Sequence, residues 1–113
     1  MRVRLRKMLT GRDRKVAKAF HQRLTTIVPV LDMRVFGSRA RGDATDESDL
    51  DIFIEVETLP ENLRQRIFEL AWEVGFEMDR VISTIVVTHD DLQHGAAGAN
   101  PLIQNIEREG VPI

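Results

Sequence analysis

Asp49 and Asp51 stand two residues apart where an alternating apolar stretch begins, and ten residues separate them from Gly37-Ser38. Side chains at i and i+2 of a strand project from one face. Their backbones lie roughly 6–7 Å apart, close enough for the carboxylates to converge on one Mg²⁺ or to bridge two ions. Two like charges side by side repel, and strand packing does not favour the pair. A divalent cation resolves the repulsion, and Mg²⁺ commonly binds through one or two carboxylates plus substrate phosphates. Gly37-Ser38 ends an earlier apolar stretch and opens a segment able to begin a short helix. Backbone N–H groups at such a start point at anions, glycine allows close approach, and the Ser38 hydroxyl adds a donor. Arg39 and Arg41 place fixed positive charge beside it, suited to phosphate oxygens. Taken singly, Gly-Ser and Asp-x-Asp are ordinary turn chemistry. In the order strand, anion loop, strand, they point to a metal-bound substrate phosphate.

The neighbouring sequence supplies the elements that hold these residues. Thr10 and Asp13 fit a capping box, and Val16, Phe20, Leu24, Ile27, Val28 and Leu31 recur at helical spacing, predicting a helix over about 11–28. Met33–Phe36 reads as a short strand. In 50–57, Leu50, Ile52, Ile54 and Val56 form a core face. Asp51, Phe53, Glu55 and Glu57 form the other, expected to be open to ligand or water, with Glu55 solvated. Thr58 to Glu61 reads as a second capping box. Leu63, Ile67, Leu70, Ala71 and Val74 mark the helix that follows, with Gly75 ending it and Phe68 and Trp72 beside its buried stripe, read as core edge with a partner-facing patch as the alternative. Val81–Val87 is an apolar strand. Thr88 caps a short helix whose first turn is acidic, a plainer reading of His89, Asp90, Asp91 and His94 than a metal cluster. A small-residue loop over 95–100 leads to a last helix opened by Asn100-Pro101 and closed by Gly110, and 111–113 fits an edge strand. Residues 1–9 alternate like a strand but also suit a helical or frayed basic arm.

The segment from Gly37 to Asp51 resembles the signature of the DNA polymerase beta-like nucleotidyltransferase superfamily, in particular its minimal single-domain members. The resemblance is specific over 33–56 and weaker elsewhere, with Pro101–Gly110 also similar. It implies an α/β (α+β) fold, a small mixed sheet with helices mainly on one face, in one domain over 1–113. It implies that Gly37, Ser38, Arg39 and Arg41 hold a nucleoside triphosphate, and that Asp49 and Asp51 hold Mg²⁺ or Mn²⁺ and are the catalytic pair. An acceptor hydroxyl then attacks the α-phosphate. It further implies a small helical HEPN-type partner protein, with AMP passed from ATP to a protein or small-molecule acceptor in a toxin–antitoxin pair. Active members carry a third carboxylate on the strand after the second helix, in a general-base role. Val81–Val87 holds none: Ser83 and Thr84 stand in its place, and Asp79 precedes the strand. The alternative is therefore an antitoxin-like subunit that binds nucleotide and acts by occupying its partner.

Composition narrows the remaining classes. The chain has 113 residues, is 42% apolar and 30% charged, and lacks cysteine, which excludes disulfides and thiolate sites. Its apolar runs are too short to span a bilayer, and a cytoplasmic protein is the expectation. A net charge of −2 conceals a split, since residues 1–23 carry nine Lys/Arg against the single acid Asp13. Phe20 is the only aromatic there and belongs to the apolar stripe, so base stacking has little support. The segment reads as a docking surface for an acidic partner or another subunit before nucleic acid.

Overall fold

A computed structural model describes residues 9–113; the expectation of a basic arm falls, save for Leu9, outside them. Thr10 accepts a hydrogen bond from the Asp13 amide at 3.1 Å and opens α1 (Gly11–Leu24), shorter than the spacing predicts because the chain leaves in tight turns from Thr25. The order continues β1 (Asp32–Phe36), α2 (Gly37–Arg41), β2 (Leu50–Val56), α3 (Glu61–Met78), β3 (Ile82–Thr88), α4 (His89–His94), α5 (Ala96–Ala99), α6 (Pro101–Glu109) and β4 (Val111–Pro112). The four strands form one mixed sheet in the order β3-β2-β1-β4. β1 runs antiparallel to β2 and β4, and β2 runs parallel to β3 with Asp51 opposite Ser83.

The even residues of β2 do what their alternation demands. Leu50, Ile52, Ile54 and Val56 are fully buried against Val16, Phe20 and Leu24 of α1 and Ile67, Leu70 and Val74 of α3. Each such side chain contributes about 1.5–3 kcal/mol. The two long helices thus share one face. The other face departs from expectation. Phe53 is fully buried with Val87, Leu92, Ile103 and Ile106 in a second, smaller core, because α4 and α6 close over the far half of the sheet. Among the described residues, the end carrying Asp49 and Asp51 is left open. Glu55 is not solvated; it is buried and pairs with His89 at 2.7 Å.

Two helix boundaries also differ. Pro60, not Thr58, is the N-cap of α3, and no side chain caps it. Gly75 lies inside α3 and lets the chain fold back on it: a β-carbon there meets the Arg80 carbonyl, while the Arg80 amide donates to the Gly75 oxygen at 2.9 Å. Asp79, at φ 57°, is the left-handed residue that ends the helix. Thr88 and Asn100 cap α4 and α6 as read, accepting from Asp91 and Leu102 amides at 3.1 and 2.9 Å. No described helix is long and apolar enough to cross a membrane.

Candidate nucleotide site

The antiparallel register sets Phe36 opposite Asp51, so the first residues of α2 land beside the carboxylate. Gly37 takes φ +75°, a conformation that side-chain-bearing residues avoid, and a β-carbon on it drives into Asp51 Oδ2. Glycine here is a requirement of both backbone and space. No side chain caps the first turn of α2, and the turn closes through the Gly42 and Asp43 amides, which donate to the Ser38 carbonyl at 3.0 and 3.1 Å. The sequence-predicted Gly37, Ser38 and Asp51 therefore meet at one end of the sheet. Asp49 sits exposed on the lip just before β2.

Burial, and then the charge of Asp49, push the Asp51 carboxyl above the usual carboxylate range; Arg41 opposes this only in part. A carboxylate destabilised in its ionised form by a second carboxylate is suited to a divalent cation. Among the described residues no three acids or histidines gather as a metal cluster, so the two aspartates are the donors this end of the sheet offers. That number fits an ion whose remaining ligands come from phosphates and water.

The two arginines of α2 part company. Arg41 is exposed, with only Asp43 nearby at 3.3 Å. Arg39 is turned inward, contrary to its expected place among the phosphate ligands. Its guanidinium donates to both Asp13 carboxylate oxygens at 3.0 and 3.3 Å, to the Ser48 carbonyl at 2.9 Å and to the Thr45 carbonyl at 3.1 Å. Its nitrogens are occupied, and their work is to hold the loop that delivers Asp49. Asp13 is 1% exposed and also receives Arg80 Nε at 3.0 Å. Sequence spacing pointed to Asp13 only as a cap residue. Its pairing spans 26 and 67 positions, beyond any local signal.

Ser83 takes the register position beside Asp51 on β3 and is exposed. Asp79 stays at the left-handed turn, with Arg12 3.9 Å away.

Three comparisons bear on this arrangement. A family model described as "Nucleotidyltransferase domain" matches residues 14–110. A Methanocaldococcus jannaschii protein named "Putative protein adenylyltransferase MJ0141" is 36% identical over 75 residues, which cover 64% of this chain and 76% of that one. A solved structure described as "Crystal structure of the toxin-antitoxin with AMP-PNP" superposes with a TM-score of 0.59 at 21% identity, covering 84% of this chain and 70% of that one.

Proposed function

Since the chain belongs to the nucleotidyltransferase domain family, we propose that it transfers AMP from ATP to a hydroxyl of a protein or small-molecule acceptor, and that it is the antitoxin of a pair with a small helical HEPN-type toxin. The observation that carries the reading is the Gly37 backbone packed against the Asp51 carboxylate with no side chain between them. A triphosphate at Gly37-Ser38 is thereby next to the acids. The relative named as an adenylyltransferase supports the nucleotide, and the toxin–antitoxin neighbour with AMP-PNP supports the partner.

In this reading the amides and hydroxyl of Gly37-Ser38 orient the β- and γ-phosphates, and exposed Arg41 adds positive charge. Asp49 and Asp51 would hold Mg²⁺, which supplies charge neutralisation to the phosphates when bound. The acceptor oxygen forms a bond to the α-phosphorus, the bond from that phosphorus to the bridging oxygen breaks, and pyrophosphate leaves. The hydroxyl proton passes to water at the open face.

A second reading rests on exposed Ser83 beside Asp51. With no carboxylate in that register to accept the proton, the chain binds nucleotide and its partner while transferring slowly or not at all. ATP labelled on the α-phosphate, with Mg²⁺ and the co-purifying partner, separates the two. Label on the partner that vanishes with Asp51→Asn supports transfer. Mg·ATP binding without label supports the second reading, and no Mg·ATP binding removes both.

A further inference from the structure

A groove of about 1080 Å³ runs from Asp49 down the outer side of the sheet. One wall is α3, where Phe68, Trp72 and Phe76 are 54%, 66% and 83% exposed. Four-residue spacing lines them up on one helix face. The floor is the first half of β3, an end strand of the sheet. Single exposed apolar residues are normal, but three aligned aromatics beside a strand edge mark an interaction site. Edge strands are usually blunted by charge, proline or a bulge, and Ile82–Thr88 carries no charged residue or proline.

Building on the nucleotidyl-transfer reading, we infer that this groove docks the acceptor, and that the acceptor is a polypeptide segment. The segment lies along β3 as an added strand, its apolar side chains on the α3 stripe and basic side chains at the Asp49 end, beside the hydroxyl it presents. Three observations fix this occupant. Asp49 and Ser83 line the same groove as the aromatics, so one end of the occupant lies at the candidate site. The edge of β3, unpaired among the described residues, offers main-chain hydrogen bonds to an extended chain, with pockets for alternate side chains. Asp46, Glu47, Asp49 and Asp79 surround the mouth, whereas Arg80 there is committed to Asp13 and Arg12 stands 3.9 Å from Asp79. Exposed Arg41 lies near Asp43, so among the described residues the lining of this groove is left acidic, matching a basic segment.

The probes are fluorescein-labelled random copolymers, poly(Lys,Tyr) and poly(Glu,Tyr), titrated by anisotropy against the full chain, with Mg·ATP affinity measured by calorimetry. The basic copolymer binds more tightly than the acidic one. Trp72→Ala and Phe76→Ser, both at exposed positions, each weaken it by about tenfold or more, with Mg·ATP affinity unchanged. Equal binding of both copolymers, or variants that bind like the native chain, overturns the proposal. So does a native dimer that Trp72→Ala splits, which makes the occupant a second copy. So does a gain of about tenfold or more on deleting residues 1–8, which makes the occupant the chain's own basic start. Asp51→Asn keeps copolymer binding and loses label transfer to the tyrosines. Loss of Mg·ATP binding in the native chain defeats the nucleotidyl reading alone, since the copolymer titration reads the groove by itself.

Discussion

At the seam between α1, α2 and the α3–β3 turn, Asp13 is enclosed with a guanidinium at each oxygen, whereas at the mouth of the site Asp49 and Asp51 share a surface with Arg41, the one cation felt by Asp51 among the described residues. Both regions concentrate charge, and both draw on α2. The seam neutralises its carboxylate within the chain. Burial raises the Asp13 pKa, but hydrogen bonds from Arg80 and Arg39 outweigh it and hold the group below the usual carboxylate range. Among the described residues the mouth compensates its carboxylates only in part, through Arg41. The far end of β2 repeats the first solution on a smaller scale, with Glu55 held by His89. The difference teaches which acids are scaffold and which are available. It also explains why two arginines in one short helix differ: Arg39 belongs to the seam and Arg41 to the mouth.

Breaking the seam should have the largest effect. Asp13→Asn strands two arginines, one of them buried, and is expected to cost about 3–5 kcal/mol in denaturant unfolding. The pH dependence has a definite sign. A depressed folded pKa gives stability that is present above the unfolded carboxylate value and lost as pH falls through the folded one. Asp13→Asn should therefore flatten the acid limb of native stability below about pH 4.

At the mouth the same substitution should act in the opposite direction. The Asp51 pKa is raised, so its ionised form is less favourable in the folded chain than in the unfolded one at neutral pH. Asp51→Asn should raise the melting temperature in the absence of metal while weakening Mg·ATP binding. A lowered melting temperature would show that the chain already compensates this charge, and the contrast with the seam would fail.

The smallest effect belongs to the Glu55–His89 pair, whose imidazole is half exposed. The hydrogen bond that the His89 ring donates to the Glu55 carboxylate is the main reason the His89 pKa lies above its ordinary value. Its contribution is complete below about pH 6.5 and fades as pH rises through the folded pKa. The stability gap between the native chain and His89→Gln should narrow from pH 6 to 8.5, followed by thermal melts at each pH.

Much of the frame was legible before any coordinates. Thr10, Thr88 and Asn100 announce helix starts because a cap bonds a backbone amide two or three residues away. The strict alternation of 50–56 announces one core face. What misled was the other face of that strand. Alternation says that Asp51, Phe53 and Glu55 share a side, and says nothing of which helix closes over it. Gly75 misled for a related reason: a glycine near a helix end reads as a stop, whereas here it gives room for the Arg80 carbonyl. The aromatic stripe of α3 is half legible: the spacing of Phe68 and Trp72 fits core edge or a partner-facing patch, their exposure favours the patch, and Phe76 carries no separate signal in the sequence.

The sequence by itself determined the main helices and strands, α5 excepted because its small residues read as a loop, since periodicity and capping act over a few residues. Only the tertiary structure decided which charges are spent and which are left. Arg39 meets Asp13 across 26 positions, Arg80 meets it across 67, and Glu55 meets His89 across 34. Each pairing depends on how the helices pack on the sheet. Electrostatic compensation is a property of distance in space, and spacing along the chain does not encode it.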